Sequence, residues 1–226
     1  MEKYAVIVAG GRGLRMGNAI PKQFLPLVGQ PVLYHTIKAF MDAYPDIHLI
    51  LVLPPDQLSY AQIVLQAFPG RVDMTIVQGG ETRFHSVQNG LKTIEGEGIV
   101  FVHDGVRPLV STDLIHRCYE QAVEKGSAVP AMLVTDSMRL VSGNNSAPVN
   151  REQLRIIQTP QTFRTDILLP AFRQEYSLAF TDEATVAEAF GTKIYLVEGE
   201  RSNIKVTTPE DLVIAEALLK EKPAHA

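Results

Sequence analysis

An alternation constrains this chain most: short apolar runs rich in β-branched residues are separated by stretches of helical period. The runs are Tyr4 to Ala9, Leu49 to Leu53, Met74 to Val77, Ile99 to Val102 and Ala128 to Met132. Each is apolar at consecutive positions, so the strands read as buried, with both faces covered. Between them, Val32 to Asp42, Ser59 to Ala67, Arg83 to Ile94 and Leu114 to Lys125 carry the helical pattern. Strand, helix and strand in succession imply βαβ crossovers and an α/β fold, a doubly wound, mostly parallel sheet with helices on each side. A chain of 226 residues, 46% of them hydrophobic, suffices for one substantial core, so residues 1–226 are expected to form one domain. In such sheets ligands sit outside the carboxyl ends of the strands. That rule directs attention to the loops after Ala9, Val77 and Val102.

The pattern changes beyond Met132. Asp136 to Val141, the turn Gly143-Asn144-Asn145 and the return Ala147 to Asn150 read as a hairpin inserted into the Rossmann-like layout. Spanning about 136–158 with its base, it is expected to project as an arm, because such an insertion cannot bury both faces on its own core. It is either the pairing element of a homodimer or a surface flap. Further on, Thr208-Pro209-Glu210-Asp211 combines an N-cap, a first-turn proline and two acids at the positive end of a helix running to about Lys220.

Charge and cysteine content narrow the function classes. The formal net charge is -4, so no global positive field exists to hold nucleic acid or an anionic membrane. An anionic ligand must therefore meet a local basic site. The single cysteine, Cys118, excludes an intramolecular disulfide and a cysteine-rich zinc site. No run approaches the roughly 20 apolar residues of a membrane span, and Tyr4 to Ala9 is too short for a signal-peptide core. A cytoplasmic protein is expected.

The local basic site follows the first strand, in Ala9-Gly10-Gly11-Arg12-Gly13-Leu14-Arg15-Met16-Gly17 and then Pro21-Lys22-Gln23. Glycines let backbone N–H groups approach phosphate oxygens, and Arg12, Arg15 and Lys22 bring positive charge with no acid between Ala9 and Gln23. A P-loop is excluded by the missing Gly-Lys-Ser/Thr. A dinucleotide fingerprint is equally ill-suited, since Met16 stands at its third small position and the second strand runs into Leu53-Pro54-Pro55-Asp56 rather than a ribose-binding acid.

This loop resembles the activating signature of nucleotidyltransferases that use sugar phosphates. The wider set of motifs is similar to the 2-C-methyl-D-erythritol 4-phosphate cytidylyltransferase family: Gly79-Gly80-x-x-Arg83-x-x-Ser86, His103-Asp104-x-x-Arg107-Pro108, Thr159-Pro160-Gln161, Thr181-Asp182-Glu183 and Asn203-Ile204-Lys205-Val206-Thr207. The resemblance runs from Tyr4 to about Leu219. It implies that a phosphate monoester oxygen attacks the α-phosphorus of CTP and expels pyrophosphate, with catalysis by positioning and electrostatics. Arg15, Lys22 and Lys205 would then be the catalytic cations. Ala9, Gly10, Gly11, Gly13, Gly80, Arg83, Ser86 and Asp104 would bind CTP. Asp104, at the end of an apolar strand, is the expected magnesium ligand. His103 reads as structural. The acceptor would be met by Arg107, Ser137, Arg151, Thr159, Thr181 and Asp182, with Arg151 reaching a neighbouring subunit's site. Arg107 has a second reading as a brace for its loop, and Thr181 as an N-cap of a helix from Asp182 to Phe190.

Gly10 stands where family members often carry alanine, Gly105-Val106 where they carry Ala-Ala, and Ser137 where they carry threonine. Ala9-Gly10-Gly11 and Met16-Gly17-Asn18 resemble ribitol 5-phosphate cytidylyltransferases instead, whereas Val149-Asn150-Arg151-x-x-Leu154 and Thr181-Asp182-Glu183-Ala184 favour the methylerythritol phosphate acceptor. A nucleotide-binding regulator without chemistry would be expected to lack Lys22, Asp104 or Lys205, and all three are present.

Overall fold

A computed structural model describes residues 1–10, 20–70 and 72–221. Gly11, Gly13 and Arg15 lie outside the described residues. The first half of the chain runs β1 (Glu2–Val8), the short strands β2 (Pro26–Leu27) and β3 (Gln30–Pro31), α1 (Val32–Ala43), β4 (His48–Leu53), α2 (Ala61–Gln66), β5 (Met74–Gln78) and α3 (Arg83–Leu91). The second continues with β6 (Gly98–Asp104), α4 (Thr112–Lys125), β7 (Ser127–Leu133), β8 (Met138–Ser142), β9 (Asn145–Val149) and β10 (Arg155–Ile157). It ends with β11 (Gln161–Arg164), α5 (Thr165–Ala171), α6 (Glu183–Ala189), β12 (Leu196–Glu198) and α7 (Pro209–Glu221).

The main sheet has the order β10-β7-β11-β6-β1-β4-β5, with β12 also paired to β7. Strands β6, β1, β4 and β5 are parallel neighbours, and β12 is parallel to β7. Strands β10 and β11 each run antiparallel to β7, and β11 also to β6. Successive residues of the central strands feed two cores, as their consecutive apolar positions require. Ala5, Ile7, Leu49, Leu51, Ile99 and Phe101 pack with Ile37 and Phe40 of α1 and Leu114 and Cys118 of α4. Tyr4, Val6, Ile50, Val52, Val100 and Val102 pack with Phe84 and Val87 of α3, Leu168 of α5 and Val186 of α6. Each large side chain fully buried here contributes roughly 1.5–3 kcal/mol. On the α3 face a Cβ at Gly90 would come within 2.7 Å of Val6, so glycine there sets how closely the helix sits on the sheet.

One strand departs from the expected burial. Met74–Gln78 is the edge strand of the sheet among the described residues, and Thr75, Ile76 and Gln78 are exposed there. Strand β11, which had no apolar run to announce it, sits between β6 and β7 with Phe163 buried. The helix ends follow local chemistry: Ser111 caps α4, Gly126 closes it at φ 90°, and Asp211 accepts from the N–H groups of Thr207 and Thr208 ahead of α7. Strands β8 and β9 form a two-stranded sheet of their own, while Arg155–Ile157 return to pair with β7. Among the described residues no helix is long and apolar enough to cross a membrane.

Candidate active site

Register brings the key strand ends together: Val8 of β1 lies beside both Val52 of β4 and Asp104 of β6, and Leu53 lies beside Gln78 of β5. Outside these ends a cleft of about 290 Å³ is lined by Ala9, Gly10, Lys22, Gln23, Gly80, Arg83, Ser86, Asp104 and Lys205, among others. It adjoins a wider recess of about 650 Å³ that shares Gly10, Gly80 and Ser86 and extends past Pro54, Asp56 and Gly79. Together they have the size and position of a small-molecule site at the carboxyl end of a parallel sheet.

The glycine floor is held by α3. Thr82 caps this helix through the His85 N–H, and Ser86 Oγ accepts from the Gly80 N–H at 3.1 Å while donating to Thr82 O at 2.9 Å. A Cβ at Gly80 would stand 2.4 Å from His85 Cβ, so this turn requires glycine. On the opposite wall, Lys22 begins a 3-10 turn, Lys22–Phe24, and is itself buried. Gln23 donates to Ala9 O at 2.8 Å and to Gln57 Oε1 at 2.5 Å, tying that turn to the end of β1 and to the segment after β4.

Asp104 is the electrostatic centre. Lys205 Nζ lies 2.9 Å from its Oδ2, Arg83 Nε 3.4 Å from Oδ1 and Arg107 Nε 3.5 Å from Oδ2. Burial pushes this carboxyl up, but Arg83, Lys205 and Arg107 outweigh it and hold the group well below the usual carboxylate range. The Arg83 side chain is partly buried, at 31% exposure. Its Nη1 and Nη2 meet Glu183 Oε1 and Oε2 at 2.5 and 3.1 Å. Burial would lower Arg83, yet Glu183 and Asp104 more than offset this and keep it charged. For Glu183 burial raises the carboxyl, and Arg83 only partly offsets the rise.

Behind the cleft, Arg107 is buried and donates from Nη1 to Asn203 O at 2.7 Å, which is the bracing geometry. His103 Nε2 faces Arg107 O and its Nδ1 faces Thr159 Oγ1; burial lowers it to about 3, so the ring is neutral. Thr159 Oγ1 also accepts from the Asp104 N–H at 3.1 Å, and its carbonyl accepts from Asn203 Nδ2 at 2.8 Å. The neighbouring Gln161 donates to Asp182 and accepts from the Ala184 N–H at the start of α6. The Thr159-Pro160-Gln161 segment thus ties together the Asp104 strand end, α6 and the Lys205 loop.

Of the residues singled out in the sequence, Ala9, Gly10, Lys22, Gly80, Arg83, Ser86, Asp104 and Lys205 line the cleft. Arg107 and Thr159 support it from behind. Asp182, rather than Thr181, caps α6: its carboxylate accepts from the Thr185 N–H at 2.9 Å, and Thr181 is exposed. Ser137 and Arg151 are exposed, with Arg151 Nη1 donating to Thr135 O at 2.5 Å across the base of the hairpin. Sequence reasoning assigned no role to Gln23, Gln161 or Glu183. Their signal was present, because each lies inside a quoted motif and Glu183 is a charge beside the apolar Ala184, Val186 and Ala187.

Comparison with known proteins places the chain in one family. The family model for 2-C-methyl-D-erythritol 4-phosphate cytidylyltransferase matches residues 4–221. The enzyme of that name from Phocaeicola vulgatus is 49% identical over 97% of this chain and 100% of its own, and that from Bacteroides fragilis is 47% identical over the same shares. Among solved structures, the Thermus thermophilus enzyme superposes with a TM-score of 0.76 at 35% identity, covering 97% of this chain and 100% of that one. The 4-diphosphocytidyl-2C-methyl-D-erythritol synthase of Anaerococcus prevotii superposes with a TM-score of 0.81 at 29% identity, covering 97% and 98%. A strand-end cleft built around Asp104 and matches of this extent lead to one assignment: the chain belongs to the 2-C-methyl-D-erythritol 4-phosphate cytidylyltransferase family.

Proposed function

We propose that this chain transfers CMP from CTP to 2-C-methyl-D-erythritol 4-phosphate, releasing pyrophosphate, in the synthesis of isoprenoid precursors. The observation that carries the reading is the cluster of Lys205, Asp104 and Arg83 at the ends of β1 and β6, beside Lys22 and a glycine floor. A phosphate oxygen of the acceptor forms a bond to the α-phosphorus of CTP, and the bond from that phosphorus to the bridging oxygen breaks, so pyrophosphate leaves with the electron pair. The acceptor phosphate already carries the attacking charge, which leaves positioning and neutralisation as the protein's work.

Lys22 and Lys205 supply positive charge to the reacting phosphate and to the acceptor, with Arg15 as a third cation. Gly10, Gly80 and Ser86 offer a flat recess to the cytosine and ribose. Asp104 would hold magnesium: it is a hard oxygen donor kept ionised, and magnesium is commonly held by one or two carboxylates, with substrate phosphates completing the set. Among the described residues there is no cluster of three or more His, Cys, Asp or Glu, so an all-protein cage is not the arrangement that fits here. When bound, the cation neutralises phosphate charge.

We read the whole chain as one nucleotidyltransferase domain and residues 136–158 as the arm of a homodimer. Met138 and Leu140, two residues apart on one face of β8, are 42% and 67% exposed, an apolar face for which a second subunit is the natural cover. Arg151 at its base would serve the acceptor in the partner's cleft. Neither nucleic acid nor membrane enters the reaction, which we place in the cytoplasm. The test is pyrophosphate release with magnesium and CTP, comparing 2-C-methyl-D-erythritol 4-phosphate, ribitol 5-phosphate and no acceptor. Release with the first alone is expected. Release with ribitol 5-phosphate alone would keep the mechanism and change the acceptor.

A further inference from the structure

Glu183 is the most deeply buried acid near the cleft, with none of its surface exposed, and it is not among the residues that line the cleft. It sits at the first position of α6 and takes both terminal nitrogens of Arg83, a residue 100 positions earlier. We infer that Glu183 is a positioning residue for the transfer, holding the Arg83 fork so that only its Nε edge faces Asp104. The inference deepens the cytidylyltransfer reading and rests on it.

The argument is geometric. Arg83 has five N–H donors in a rigid plane, and a guanidinium beside two carboxylates takes the fork-to-fork arrangement with one of them. Glu183 occupies that fork, and Asp104 receives the single Nε contact at 3.4 Å. Without Glu183 the fork is free to turn onto Asp104, which already bears Lys205 at 2.9 Å and Arg107 at 3.5 Å. Its oxygens would then be engaged by cations of the protein instead of facing substrate. A buried ion pair seldom stabilises a fold beyond what packed apolar residues would. Its contribution here is where the guanidinium is held. Gln161 keeps Glu183 in place by fixing Asp182 and the Ala184 N–H on either side of it. The same Thr159-Pro160-Gln161 segment therefore fixes Asp104 directly and Arg83 through α6.

The test is a kinetic double-mutant cycle on the full chain with magnesium, CTP and 2-C-methyl-D-erythritol 4-phosphate, alongside calorimetric CTP binding. Glu183→Gln is expected to lower kcat about ten- to a hundredfold, the cost of a misplaced group, while the CTP dissociation constant changes less than about threefold. Arg83→Gln should lower kcat similarly, and the double variant should be no worse than Arg83→Gln alone, since the two residues act as one unit. Arg83→Lys keeps the charge but cannot take both Glu183 oxygens. It should also lose kcat, which keeps the inference testable even if Glu183→Gln folds poorly. Parent-level kcat in Glu183→Gln or in Arg83→Lys, or additive losses in the cycle, would overturn it. A parent enzyme that releases no pyrophosphate would instead sink the underlying reading.

Discussion

The cleft and the β8–β9 arm treat their side chains in opposite ways. Around Asp104, charges from α3, α6, the loop after β6 and the Lys205 segment are met by partners within the chain, most of them buried. The arm forms a sheet with itself and leaves Met138, Leu140 and Val141 in water. Strand β8 has five residues against six in β4, yet β4 is buried from Leu49 to Leu53 and β8 is exposed throughout. A charge network closed within one chain is suited to chemistry, because its geometry is set before substrate arrives. An apolar face left open is suited to assembly. The difference teaches that these two regions should fail differently when altered.

The largest separation is expected at Lys22. Lys22→Ala should lower turnover by about 10²–10³-fold, as removal of a charge-stabilising donor does, without changing oligomeric state. Steady-state pyrophosphate release and light scattering read the two quantities, and an unchanged turnover number would remove Lys22 from the site. Asp104→Asn comes next, with a loss of about a hundredfold in kcat and a higher magnesium concentration for half-maximal rate. Normal activity at low magnesium would exclude the carboxylate as the metal's holder.

For the arm the order of effects reverses. On the proposed homodimer reading, Leu140→Glu should shift the protein from dimer to monomer in light scattering, and lower turnover only about tenfold by withdrawing Arg151 from the partner's cleft. A dimer that persists with full activity would break the contrast.

The smallest effect concerns acid stability. Burial lowers His103 to about 3, whereas an unfolded histidine titrates near about 6.5. Its contribution is fully present above the unfolded value and is lost as pH falls from there toward about 3, because the unfolded chain then binds the extra proton. Asp104 acts in the same sense only below the ordinary carboxylate range, and Glu183, raised by burial, acts in the opposite sense. Thermal unfolding from pH 7 to 4 should therefore show a shallower slope in His103→Asn than in the parent. Equal slopes would show that the ring is not held neutral.

How much of this was legible in the chain varies by residue. The runs Tyr4 to Ala9 and Ile99 to Val102 announced β1 and β6, since a strand buried on both faces must be apolar at consecutive positions. Ser86 and Gly80 were found through a glycine-rich turn ahead of a helix. Arg107 was left between phosphate contact and brace, and its burial against Asn203 O answers for the brace. Strand β11 was missed because Gln161-Thr162-Phe163-Arg164 is short and Phe163 is its single clearly apolar residue, so no strand pattern stands out. Thr181 and Asp182 both suit an N-cap, and only the contact from Thr185 N–H distinguishes them.

The sequence alone therefore determined the class of fold, the strand ends that face a ligand and the excess of cations there, because periodicity and local composition encode burial and backbone conformation. The tertiary structure decided which strand is the edge, which of the cations Asp104 meets and that Glu183 holds Arg83. Two of those pairings join residues 100 or more positions apart, and they depend on how the strand ends converge, which local pattern does not record.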